Sequence, residues 1–74
     1  MTDSEKIEAL KEAIRAVLEK DVGEITEDSK FETLGVDSLD AIELQMWLED
    51  NKAIRTLDPK GAIKTVGDFL KLIP

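Results

Sequence analysis

Apolar side chains in the first twenty residues recur at the spacing of an α-helix. They stand mostly three or four residues apart, on one predicted helical face, and are Ile7, Leu10, Ile14, Val17 and Leu18. Thr2 and Glu5 have the spacing of a capping box, in which each side chain accepts a hydrogen bond from the other residue's amide. We therefore predict an amphipathic helix that begins near Asp3 and fades between residues 20 and 23.

Neither a helical nor a strand period runs through residues 21–37. Isolated apolar side chains interrupt this stretch, namely Val22, Ile25, Phe31 and Leu34. We interpret them as anchors that fix a long connection onto the helices. Connections of this length are uncommon in compact domains and often carry function. Gly35 permits a sharp change of direction near the end of the stretch.

A second long helix is predicted from Asp37 to about Asp50, a stretch that contains neither Gly nor Pro. Asp37 is a favourable N-cap because its carboxylate can accept hydrogen bonds from first-turn amides and complements the helix dipole. With a turn of about 100° per residue, this helix carries two apolar stripes on nearly opposite sides. One stripe consists of Ala41, Leu44 and Leu48, and the other of Leu39, Ile42 and Met46.

Only one of these stripes is expected to face the core, because a chain of 74 residues is too short to surround the helix. The acidic residues that lie around the second stripe are Glu43, Glu49 and Asp50. We therefore expect Leu39, Ile42 and Met46 to lie near the surface, as a docking site for a basic partner. The alternative is that both stripes belong to the core of a broadly buried helix.

The last part of the chain is less regular. Pro59 after Asp58 suits the first turn of a short helix within residues 51–64, which Gly61 would weaken. Thr65 and Asp68 again have the spacing of a capping box. The buried face of that last short helix is predicted to consist of Val66, Phe69, Leu70 and Ile73. No segment alternates with the period of a strand, so we predict one all-α domain, residues 1–74, folded as a small bundle of three to four helices.

Composition excludes several classes of function. The chain has no Cys and no His, so it has no disulfide, no thiol nucleophile, no Ser-His-Asp triad, no Cys-ligated metal and no imidazole, the commonest ligand of transition metals. These absences favour a protein that is not an enzyme and holds no metal. The net charge of −7 disfavours nucleic acid as a partner. An acidic start and the lack of any run of about 20 apolar residues favour a cytoplasmic, monomeric protein without a membrane span.

The charge is unevenly distributed along the chain. Residues 51–74 carry five basic and two acidic side chains, or +3, so the first 50 residues carry −10. Residues 37–50 contain five acidic side chains and no basic one. This negative stretch coincides with the second apolar stripe, which strengthens the prediction of a docking surface.

Ser38 lies at the predicted start of the second helix, where unpaired amides and the helix dipole stabilise a phosphate group. A phosphate ester on this hydroxyl would be favoured locally, although Asp37 and Asp40 partly oppose it. The alternative is an ordinary first-turn serine.

The residues around Ser38 are similar to a known motif. The run Leu34-Gly35-Val36-Asp37-Ser38-Leu39-Asp40, followed by Ile42, Glu43 and Leu44, resembles the modification motif of acyl carrier proteins. The resemblance implies that a separate transferase attaches 4′-phosphopantetheine from coenzyme A to Ser38, and that the thiol of this arm holds acyl groups as thioesters. A chain without Cys would thereby acquire its only thiol.

The resemblance also implies partners, namely the phosphopantetheinyl transferase and acyl-loading and acyl-processing enzymes with basic docking patches. By position, the residues that would meet them are Asp37, Leu39, Asp40, Ile42, Glu43, Met46 and Glu49. The implied function is to carry acyl intermediates in a fatty-acid, lipid, lipopolysaccharide or polyketide pathway.

One segment departs from the family's usual pattern. These carriers usually continue with an acidic stretch that contains a Phe. Residues 51–61 of this chain are instead basic and contain no Phe. This departure suggests a specialised carrier with a dedicated pathway. Two other functions stay open at this point: an aminoacyl or peptidyl carrier, and an unmodified acidic helical interaction module.

Overall fold

The computed structural model describes all 74 residues and contains four helices and no strand. The helices are α1 (Asp3–Leu18), α2 (Phe31–Leu34), α3 (Ser38–Lys52) and α4 (Val66–Leu70). One isolated antiparallel bridge joins Lys30 to Thr65. The prediction of a small all-α bundle is confirmed.

Three of the helices begin with a reciprocal capping box, and all three are encoded by residues three positions apart. The pairs are Thr2 with Glu5, Asp37 with Asp40, and Thr65 with Asp68. Each pair satisfies two amides that would otherwise lack a partner at a helix start. These local hydrogen bonds fix where α1, α3 and α4 begin.

The core is formed where α1 packs against α3, and α4 packs against α1 and adds its apolar side chains to the same cluster. Apolar side chains from all three helices are fully buried, including Leu10, Ile14, Leu44, Leu48 and Phe69. Burial of each such leucine contributes about 1.5–3 kcal/mol relative to an exposed side chain. The rings of Phe31 and Phe69 lie 5.8 Å apart between centroids, which joins the long connection to α4.

The prediction of an irregular connection over residues 21–37 is wrong at α2. This helix of four residues is too short to produce a periodic pattern, and its N-cap, Lys30, makes no side-chain hydrogen bond. It forms because Phe31 is buried in the core and Gly35 ends the turn with a φ of 74°. Glycine adopts this left-handed conformation without steric cost.

The short helix suggested within residues 51–64 does not form. α3 continues to Lys52, two residues beyond the predicted end, and the chain then runs without helix up to α4. Residues 54–57, which we call the strap, are held by hydrogen bonds instead. The Leu57 amide donates to the Leu72 carbonyl at 2.7 Å, and the Gln45 side chain donates to the Leu57 carbonyl at 3.0 Å. Gly61 and the lack of helical periodicity explain why no helix competes with these bonds.

Candidate functional site

Ser38 is the first residue of α3 and is exposed to solvent. The chain reaches it through Gly35, which ends α2, and Asp37, which has an extended conformation as the N-cap. The amides of Ser38 and Leu39 lie in the first turn, where the helix offers no carbonyl to accept their hydrogen bonds, and they donate to no other protein group. The hydroxyl therefore stands beside free N–H donors at the positive end of a helix of 15 residues.

The two aspartates beside Ser38 are bound to the backbone. Asp37 Oδ1 accepts a hydrogen bond from the Asp40 amide at 2.9 Å, and Asp40 Oδ2 accepts one from the Asp37 amide at 3.2 Å. Their carboxylates hold the turn that presents Ser38. Neither makes a hydrogen bond with the serine hydroxyl, so Ser38 has no general base in contact within the chain.

The outward-facing stripe of α3 lies where the sequence placed it. Leu39, Ile42 and Met46 are 71%, 49% and 56% exposed, whereas Ala41, Leu44 and Leu48 are buried. Glu43 and Asp50 are exposed on the same helix and make no hydrogen bond or ion pair. Trp47 is half-buried and packs against the core.

Glu49 has a structural role that the sequence did not reveal. Its carboxylate accepts hydrogen bonds from the Thr56 amide at 3.3 Å and from the Thr56 hydroxyl at 3.2 Å. Of the four acidic residues predicted to meet a partner, Asp37, Asp40 and Glu49 are thus occupied by hydrogen bonds within the chain, and Glu43 is free.

Gln45 and Leu57 are two further residues next to this surface, and sequence reasoning missed the first of them. Gln45 is buried, although it lies between the two apolar stripes, and its amide binds both Thr56 and Leu57 of the strap. Leu57 is 53% exposed and is the only large exposed apolar residue of the strap. Its position between the two apolar stripes was the available signal for Gln45.

A groove of about 680 Å³ opens beside Ser38. Its walls come from the start of α2, the turn before α3 and the chain before α4, and include Lys30, Val36, Ile63 and Lys64. Ile63 also lines a second cavity of about 530 Å³ beneath residues 57–62.

Comparison with known proteins identifies this arrangement. A family model described as "Phosphopantetheine attachment site" matches residues 8–59, a range that includes Ser38 and the groove wall at Lys30 and Val36. The chain belongs to the acyl carrier protein family. A relative from Sulfurovum sp. (strain NBC37-1), named acyl carrier protein, is 47% identical over 66 residues, covering 86% of this chain and 88% of the relative.

Two further relatives carry the same name. The acyl carrier protein of Exiguobacterium sibiricum is 41% identical and covers 99% of this chain and 95% of its own. The acyl carrier protein of Wolinella succinogenes is 42% identical, and the match covers 86% of this chain and 87% of the relative. No solved structure matches the chain.

Membership in the acyl carrier protein family brings a covalent 4′-phosphopantetheine arm, and the chain's chemistry fits this group. A phosphodiester needs an exposed hydroxyl and donors for its anionic oxygens, and the start of α3 offers both. The thiol at the end of the arm supplies the thioester chemistry that a chain without Cys lacks. No cluster of side chains suited to a metal ion is present, and none of the four helices has the length and apolar character to cross a bilayer.

Proposed function

We propose that Ser38 carries the 4′-phosphopantetheine arm and that this carrier presents acyl thioesters to partner enzymes. The observation that supports this most strongly is the exposed Ser38 hydroxyl at the start of α3, inside the range matched by the attachment-site model. In the attachment step, Ser38 Oγ forms a bond to the phosphorus nearest the pantetheine of coenzyme A. Adenosine 3′,5′-bisphosphate leaves, and the hydroxyl proton passes to a base of the transferase.

The chain's own residues position the reacting atom and leave catalysis to the partners. Asp37 and Asp40 hold the turn through backbone hydrogen bonds, and no side chain of the carrier is placed to deprotonate Ser38. We infer that the protein is a carrier and not an enzyme.

Intact mass after incubation with coenzyme A, Mg²⁺ and a broad-specificity transferase tests the attachment point. One phosphopantetheine should be added to the native chain and none to Ser38→Ala. Ser4 provides a matched control, because it is also exposed in the first turn of a helix but lies outside the motif. Ser4→Ala should be modified like the native protein, and addition to Ser38→Ala would refute the proposal.

The outward stripe supports a docking role. Leu39, Ile42 and Met46 form an apolar strip that no part of the chain covers, and Glu43 and Asp50 contribute free negative charge on the same helix. Such a surface complements an enzyme with an apolar patch edged by basic side chains.

The cargo is proposed to be an acyl group of a fatty-acid, lipid, lipopolysaccharide or polyketide pathway, in a cytoplasmic monomer. Loading of the modified carrier by fatty-acyl-transferring enzymes, compared with amino-acid-adenylating enzymes, tests this choice. If the modified carrier accepted only amino acids, the proposal of an acyl cargo would be wrong. The proposed attachment of the arm at Ser38 would not be affected.

A further inference from the structure

We propose that Lys30 and Lys64 bind the phosphodiester of the arm and lay the arm along the groove beside Ser38, over Val36 and Ile63. This inference rests on the attachment of the arm at Ser38. It assigns a binding site on the carrier itself to a group that would otherwise extend into solvent.

The two lysines are fixed by backbone pairing on the two sides of the groove. The Phe31 amide donates to the Lys64 carbonyl at 2.9 Å, and the Val66 amide donates to the Ser29 carbonyl at 2.8 Å. These bonds flank the antiparallel bridge between Lys30 and Thr65. The chain before α4 is thereby held against the start of α2, so both lysines stay at the groove that contains Ser38.

Both ammonium groups are free to bind an anion. The ion pairs of the protein join Arg15 to Asp21 and Lys52 to Glu12, and neither includes Lys30 or Lys64. The acidic residues of the groove are Glu32 and Asp37, and Asp37 is engaged in its capping box. On a carrier of net charge −7, the groove that contains Ser38 is lined by two lysines that make no ion pair and by two carboxylates, so its formal charges balance while the chain as a whole is acidic.

The rest of the groove suits the part of the arm that follows the phosphate. After the phosphate, pantetheine has a methylene, then a carbon that bears two methyl groups and a carbon that bears a hydroxyl, and it continues through two amides. Val36 and Phe31 are buried and Ile63 is half-buried, so they provide an apolar floor for the methyl groups. Exclusion of these methyl groups from water favours the docked arm over a freely solvated one.

NMR of the modified, isotopically labelled carrier tests this site. We expect nuclear Overhauser contacts from the two methyl groups of the arm to the methyl groups of Val36 and Ile63. The double variant Lys30→Gln/Lys64→Gln should still accept the arm but lose these contacts. Lys60→Gln/Lys71→Gln is the matched control, since it removes the same charge from exposed lysines that lie outside the groove and should retain them.

Intact mass measured on the same samples separates this inference from the proposed function. A native carrier that gains the arm but shows no contacts to Val36 and Ile63 overturns the groove site alone. Contacts that persist unchanged in Lys30→Gln/Lys64→Gln overturn the role of the lysines. A native carrier that gains no mass overturns the attachment at Ser38, and the groove site with it.

Discussion

Aspartates fix the starts of the two helices that follow the groove-lining stretches, α3 and α4. They do so through hydrogen bonds that their carboxylates accept from backbone amides. Asp37 and Asp40 fix the turn before Ser38, and Asp68 fixes the turn before α4. Asp37 and Asp68 were predicted as capping residues from the sequence, because capping depends on residues a few positions apart, whereas the reciprocal role of Asp40 was not predicted. The roles of Glu49 and Gln45 were not predicted either, because their partners lie seven to twelve residues away.

Asp68 makes the carrier sensitive to acid. Its carboxylate accepts hydrogen bonds from the amides of Lys64 and Thr65, each at 3.1 Å, and these bonds lower its pKa, with the Lys64 amide as the largest cause. A carboxyl with a lower pKa in the folded than in the unfolded chain stabilises the fold above its unfolded pKa, which is about 3.9 for Asp. That stabilisation is lost as the pH falls through the folded pKa.

We therefore expect Asp68→Asn to be less stable than the native carrier at neutral pH and to lose less stability below about pH 4. Urea unfolding at several pH values measures this difference. Part of the acid dependence should remain, because backbone hydrogen bonds also lower the pKa of Glu5 and Asp21. Asp58→Asn removes the same charge from an exposed carboxylate without hydrogen bonds and is the control. Identical pH profiles for Asp68→Asn and the native protein would contradict the role of this cap.

Among the elements, the strap takes the place of a helix between α3 and α4. Gln45 donates to Thr56 and Leu57, and the Thr56 hydroxyl donates onward to Glu49.

The two long helices were predictable because their apolar residues repeat along many turns. The strap and α2 were not, because one depends on distant side-chain hydrogen bonds and the other on a single buried phenylalanine. At the candidate site, Ser38 and the outward stripe were readable from motif and periodicity, whereas the groove depends on the bridge between Lys30 and Thr65.

Gln45→Glu keeps the shape of the side chain but removes its donor group. At neutral pH the new carboxylate would face the Leu57 carbonyl and lie near Glu49, so we expect a loss of about 1–3 kcal/mol in the free energy of unfolding. In acid the carboxyl becomes protonated and can donate again, so the difference from the native protein should shrink. Denaturant unfolding at both pH values measures this change.

Gln45→Met serves as the companion variant, because it removes the donor without adding a titratable group. Its loss of stability relative to the native carrier should therefore be about the same at neutral and at acid pH. Hydrogen exchange at the Leu57 amide, which binds the Leu72 carbonyl, should become faster in both variants if Gln45 holds the strap in place. Unchanged exchange would assign the strap's stability to other contacts.

Across the surface, the charge separates into an acidic part that includes α3 and a basic part after it. The first 50 residues carry −10 and residues 51–74 carry +3. The sum of charges influences how an enzyme approaches, and the exposed apolar strip then provides the contact. A partner that matches only the acidic part would meet repulsion from Arg55 and Lys60, which are exposed and unpaired. This asymmetry supports the view of a carrier that serves a restricted set of enzymes.

Glu43 is the residue at which this docking model is most directly testable, because its carboxylate is exposed and bound to nothing in the chain. We expect Glu43→Lys to lower kcat/KM for phosphopantetheine transfer roughly 2- to 5-fold, as for other exposed charge pairs, with an unchanged melting temperature. Glu8→Lys makes the same change of charge on the exposed face of α1 and should leave kcat/KM near the native value. Added salt should reduce the native rate and narrow the gap between the native protein and Glu43→Lys, because ions screen exposed charges. Equal effects of the two substitutions would mean that the transferase responds to net charge alone and does not dock on α3.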